Sequence, residues 1–183
     1  MSEPIDEYGV LDETRIFRAL DEHNVDYVVV GGSAAIFWGA QRGTRDVDCV
    51  AEPTTENYRR LCGALRQMGS PRLRIEGVDD EAAAELSKQL LHPDFFARVS
   101  ASTWRTDSGS IDILSDISGL DGQPVPYVDL RARATFAPTN ELRIPVASLD
   151  DIIDSKTNAN RAKDREALPE LHELRRKQRG EDR

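Results

Sequence analysis

Apolar residues in this chain recur with two periods, and the alternation between them outlines the elements. Residues 12–23, DETRIFRALDEH, place Ile16, Phe17 and Leu20 on one helical face behind Asp12, a candidate cap. The apolar run in VDYVVVGG (25–32) predicts a buried strand that its glycines end, because valine and tyrosine suit the pleated backbone. SAAIFWGA (33–40) follows as a short helix beginning at Ser33, and TRDVDCVAE (44–52) as a second strand. TTENYRRLCGALRQMG (54–69) predicts a capped amphipathic helix, with Tyr58, Leu61, Leu65 and Met68 on one face and Gly69 at its end.

Alanine, leucine and glutamate make DDEAAAELSKQLLH (79–92) helical. FFARVSASTWRT, DSG and SIDILSD (95–116) read as a strand, a tight turn and a returning strand. ELRIPVASL (141–149) predicts a last short strand, with Ser148 or Asp150 capping the helix after it. That helix, DDIIDSKTNANRAKDREAL (150–168), turns Ile152 and Ile153 toward a core and is expected to break or bend before Pro169, which would remove an internal hydrogen bond. Strands and helices are mixed rather than strictly alternating, so the expected class is α+β (mixed α/β), a small mixed or antiparallel sheet flanked by helices. No repeat, low-complexity segment or linker interrupts the chain, so one domain is expected over 1–183, with a core about 12–115 and a helical part about 148–178.

Composition narrows the setting. No apolar run approaches the roughly 18 residues of a membrane span, and the N-terminus, MSEPIDEYGVLDE, lacks the basic-then-apolar layout of a secretory signal. The two cysteines, Cys49 and Cys62, form no CxxC or Cys/His cluster, which fits a reducing cytoplasm and argues against structural zinc. A net charge of −9 argues against nonspecific DNA binding. The charge is uneven, however: residues 1–30 carry eight acidic and two basic side chains, residues 156–183 nine basic and six acidic. LRRKQRGEDR at the C-terminus is therefore either a solvated helix end or part of one face that meets a nucleic acid.

Candidate chemistry begins at Asp46 and Asp48. Side chains at i and i+2 of a strand share a face, and two carboxylates that close call for a compensating cation or good solvation. Magnesium, with its preference for oxygen ligands and its retained waters or phosphates, supplies such a charge. Asp112, between Ile111 and Ile113, is a carboxylate in a short apolar strand, costly unless paired, metal-bound or at a sheet edge. If its strand lies beside RDVDCV, the three carboxylates converge and can bridge one or two magnesium ions. Gly31, Gly32 and Ser33, at a strand-to-helix junction, are either a tight turn with a serine cap or a phosphate-holding turn.

Taken together, these residues resemble the nucleotidyltransferase fold of the DNA polymerase beta superfamily: a Gly-Gly/Ser turn, a downstream DxD and a third acidic residue on a later strand. VVVGGSAAIFWGAQRGTRDVD with IPVASLDDIIDSKTNANRAKDREALPEL narrows the resemblance to small bacterial nucleotidyltransferases of the abortive-infection type IV toxin class, including MenT-type toxins. The likeness covers about residues 25–65 and 110–175. It implies transfer of a nucleoside monophosphate from an NTP to an acceptor hydroxyl (EC 2.7.7 type), with magnesium and release of pyrophosphate. It also implies a tRNA 3′ end as acceptor, a translation- and growth-inhibiting role as a toxin, and a cognate antitoxin. By the same resemblance Asp46, Asp48 and Asp112 hold metal, and Asp112 completes that site or acts as base. Gly31, Gly32 and Ser33 hold the triphosphate, Lys156 and Arg161 reach the phosphates, and Asp164 orients one of these cations. Thr44 and Arg42, between the two halves of the motif, tune or support the nucleotide site. Two other readings stand beside this one: transfer to a protein or small-molecule (antibiotic) hydroxyl, and a catalytically weak nucleotide-binding module. The complete carboxylate triad argues against the last.

Overall fold

A computed structural model describes residues 10–138 and 142–180. The first nine residues of the acidic N-terminal stretch and the last three residues of the basic tail lie outside the described residues. In chain order the elements are α1 (Glu13–Glu22), β1 (Tyr27–Val30), α2 (Gly31–Phe37), β2 (Asp46–Ala51), α3 (Thr55–Met68), β3 (Arg72–Leu73), α4 (Asp80–Leu90) and α5 (Pro93–Phe96). There follow β4 (Ala101–Thr106), β5 (Gly109–Leu114), β6 (Asp116–Ser118), β7 (Pro124–Pro126), α6 (Tyr127–Arg133), β8 (Thr135–Pro138), β9 (Arg143–Val146), α7 (Leu149–Ala159) and α8 (Ala162–Arg179).

Among the described residues seven strands form one mixed sheet in the order β3-β4-β5-β2-β1-β9-β8, and β6 and β7 form a separate hairpin. β1 runs antiparallel to β2 and parallel to β9, and β2 runs parallel to β5. All four residues of β1 are buried, as a continuous apolar run in a central strand requires. Val47, Cys49, Ile111 and Ile113, from the neighbouring strands, are buried as well. α1 and α3 pack together, and α7 lies against α2, β6 and α8. No helix of the described residues is long and apolar enough to cross a membrane.

The helix boundaries follow from their caps. Asp12 accepts from the Arg15 amide, Thr54 from Asn57 and Ser148 from Asp151, each satisfying an otherwise unpaired N–H of a first turn. Gly69 closes α3 at φ 92°, a backbone region that suits glycine.

Three expectations change. α2 begins at Gly31 rather than Ser33, so both glycines belong to its first turn. Phe95 and Phe96 lie in α5, not in a strand: His92 caps it, Pro93 fits its first turn, and Phe96 packs against Tyr58 and Trp104. The late helix breaks at Asn160, in the left-handed region at φ 48°, while Pro169 sits inside α8. Asparagine tolerates that conformation, so Asn160 and the extended Arg161 together make the elbow, and the proline costs a hydrogen bond without ending the helix.

Candidate active site

The parallel pairing of β2 with β5 sets Asp48 directly beside Asp112, and Asp46 beside Ser110. The alternation of the strand then places all three aspartates on one face, opposite Val47, Cys49, Ile111 and Ile113. They line one wall of a cleft of about 380 Å³. Asp112 Oδ1 is buried and, among the described residues, no hydrogen bond reaches it. Burial raises the Asp112 pKa and the Asp46 charge adds to the rise, against a hydrogen bond from Thr103, its partner on β4. Burial, then the charges of Asp46 and Asp112, pushes the Asp48 pKa up to about 7, although the Gly32 amide, 3.4 Å from Oδ2, and Lys163 oppose the shift. This wall holds more negative charge than its own surroundings stabilise.

The glycines make room for these side chains. A Cβ on Gly31, which sits at φ 63°, would lie 2.1 Å from Asp48 Oδ2, and one on Gly32 would lie 2.7 Å from Thr44 Oγ1. Thr44 lines the cleft, with Oγ1 3.1 Å from the Asp46 carbonyl and 3.2 Å from Asp46 Oδ1, so it orients the first carboxylate. Ser33 is placed differently from the other turn residues. It is buried, with its hydroxyl 2.8 Å from Glu13 Oε1 and 3.2 Å from the Asp46 carbonyl, so it braces α1 and β2 and does not face the cleft.

The opposite wall comes from the elbow between α7 and α8. Lys156, Arg161 and Lys163 line it. Behind them Asp164 is fully buried and takes Arg161 Nε at 2.6 Å and Nη2 at 3.3 Å, with Lys156 Nζ at 3.4 Å. Burial alone would raise its pKa; the two cations outweigh it and hold the Asp164 carboxyl below the ordinary range. Asp164 thus arranges both Arg161 and Lys156, one more cation than the resemblance implies. Arg42 also lines the cleft and pairs with Glu166 at 3.1 Å.

Motif spacing alone passes over Lys163, whose charge acts on both Asp48 and Asp112. The signal that could have found it is its place in the Arg161-x-Lys163-Asp164 run. Glu170, which also lines the cleft and accepts from the Gln41 amide, has no sequence signal at all.

Three half-buried carboxylates, one with an orphaned oxygen, are the donor set a hard divalent cation needs. Among the described residues no three such groups are already gathered around one point. Magnesium often binds through one or two carboxylates and fills its other positions with water or phosphate. A cavity of about 410 Å³ beside α4 is slightly larger, but Arg66, Arg72 and Lys88 line it with no carboxylate, so chemistry rather than size selects the cleft.

No family model and no curated protein matches the sequence. Solved structures match in fold. The nucleotidyltransferase candidate TM1012 of Thermotoga maritima superposes over 90% of this chain and 96% of its own, at 18% identity and a TM-score of 0.52. The lincosamide antibiotic adenylyltransferase LnuA, solved with lincomycin, covers 90% of this chain and 98% of its own, at 16% identity and a TM-score of 0.57. ANT(2")-Ia, solved with adenylyl-2"-tobramycin, covers 92% and 95%, at 16% identity and a TM-score of 0.53. At these identities the likeness is one of fold, and the chain has the nucleotidyltransferase fold.

Proposed function

We propose that this chain is a magnesium-dependent nucleotidyltransferase that moves a nucleoside monophosphate from an NTP to an acceptor hydroxyl and releases pyrophosphate. One observation carries the reading: the Asp48–Asp112 register, with Asp46 on the same face, sets undercompensated carboxylates across a cleft from Lys156, Arg161 and Lys163. Asp46, Asp48 and Asp112 would hold the cation, which when bound supplies positive charge to the triphosphate and to the departing pyrophosphate. Lys156 and Arg161, held by Asp164, bind phosphate oxygens from the other side. The acceptor oxygen forms its bond to the α-phosphorus as the bond to pyrophosphate breaks. The hydroxyl proton goes to Asp112, the third carboxylate of the same face.

For the acceptor we favour a tRNA 3′ end, and with it a cytoplasmic growth-inhibiting toxin restrained by an antitoxin. The support is the Arg42-x-Thr44-x-Asp46-x-Asp48 run joined to Lys156 and Arg161-x-Lys163-Asp164. A second acceptor class, the hydroxyl of a small molecule such as an antibiotic, has its own support in the fold shared with LnuA and ANT(2")-Ia over nearly the whole of those chains.

One experiment tests both. Purified protein, magnesium and each α-labelled NTP are incubated with total tRNA, with a lincosamide and an aminoglycoside, and with cell protein, and RNA 3′ ends are then sequenced. Label in tRNA with added 3′ nucleotides is expected. Label in a small molecule or protein alone would replace the acceptor, and label nowhere would sink the activity.

A further inference from the structure

The loop from Trp38 to Arg45, which delivers Asp46 to the cleft, is fastened to α8 at three points. Gly39 stands close to Leu174: a Cβ at this position would lie 3.5 Å from Leu174 Cδ2. The Gln41 amide donates to Glu170 Oε1 at 2.8 Å, and Arg42 Nη1 donates to Glu166 Oε2 at 3.1 Å. Residues 166, 170 and 174 stand four apart and form one stripe on the helix, so the loop runs along α8 in matched steps.

The three fastenings differ in strength. A backbone amide makes one, and another is only the approach of Gly39 to Leu174. The third is a single-point ion pair between side chains that are 53% and 62% exposed. Exposed pairs of this kind contribute little and exchange readily. Arg42 lines the cleft, whereas Glu166 stands outside its lining. A triphosphate offers a guanidinium several anionic oxygens in fork geometry, where Glu166 engages it through one nitrogen.

We propose that Glu166 is a positioning residue that holds the Arg42 guanidinium at the rim until the triphosphate of an incoming NTP takes it over. The proposal rests on the nucleotidyltransferase reading. Each NTP binding event then breaks one internal ion pair, and the Glu166 carboxylate lowers NTP affinity by competing for Arg42 rather than by touching the nucleotide.

The test is calorimetric titration of ATP, CTP, GTP and UTP, with magnesium, into wild type, Glu166→Gln, Arg42→Ala and the double variant, whose unfolding midpoints establish that each is folded. Glu166→Gln is expected to tighten binding about two- to fivefold, the range an exposed pair supports. It should lower KM for the NTP without changing kcat, and the gain should shrink as salt rises. In the Arg42→Ala background the same change should do nothing. An equal gain in both backgrounds would overturn the latch in favour of simple repulsion, and weaker binding by Glu166→Gln would overturn it outright. Wild-type NTP binding with no gain in the variant removes the latch alone. No NTP binding by any form removes the function reading and the latch together.

Discussion

The cleft has two walls, and each contains buried or half-buried aspartate in opposite electrostatic circumstances. On the helix wall Asp164 is fully buried, yet Arg161 and Lys156 satisfy it and its pKa falls. On the strand wall Asp48 and Asp112 are less buried, yet their pKa values rise, because burial raises both and the charge of Asp46 adds to the rise. A buried charge with its partners supplied by the chain is part of the scaffold. One whose partners are missing marks a place where a ligand supplies them. In the proposed reaction the strand wall holds the chemistry, and the helix wall holds the cations in position.

The sharpest way to break this contrast is to neutralise each wall in turn. Asp48→Asn and Asp112→Asn should each lower nucleotide transfer by at least about a hundredfold, the scale expected when a metal-binding carboxylate is lost. In the metal-free protein at pH 8, Asp48→Asn should raise the melting temperature by about 2–4 °C for each kcal/mol of repulsion removed. Asp164→Asn should behave in the opposite way, losing about 2–3 kcal/mol of stability in urea titrations, because it leaves Lys156 poorly solvated and unpaired. If both aspartates proved stabilising, the two walls would not differ in kind.

A smaller effect concerns packing against the strand wall. Gly31→Ala should cost about 1–2 kcal/mol in the same measurement, since a side chain at φ 63° is strained and its Cβ collides with Asp48. The smallest effect is a slope. The Asp48 pKa is raised from the ordinary value near 4 to about 7, so the folded state binds the proton more tightly than the unfolded state between those limits. Metal-free stability should fall as pH rises through that window and level off above it, and Asp48→Asn should flatten the decline. Magnesium should raise the melting temperature more at pH 8 than at pH 5.

The strand wall is largely legible in the sequence. The i, i+2 spacing of Asp46 and Asp48 and the apolar flanks of Asp112 define one strand face by themselves. Capped amphipathic helices such as α1 and α3 announce both ends and their buried stripe. The helix wall is less readable. Its geometry depends on one left-handed residue, Asn160, and such a local choice leaves hydrophobic periodicity unchanged on both sides. Ser33 misleads for a related reason: its burial depends on Glu13 arriving from α1, a contact between residues 20 apart. Residues 116–138, which form a hairpin, a short helix and an edge strand, carry only brief apolar runs and show no clear period.

The central claim is that the strand-wall carboxylates take up a cation together with the nucleotide. It is tested most directly by calorimetric titration of NTP into wild type and Asp48→Asn at pH 7.5, with magnesium and with excess chelator. The account predicts binding by the wild type that depends on magnesium and is lost or strongly weakened in Asp48→Asn. Equal binding with and without magnesium, or unchanged binding by the variant, would contradict it.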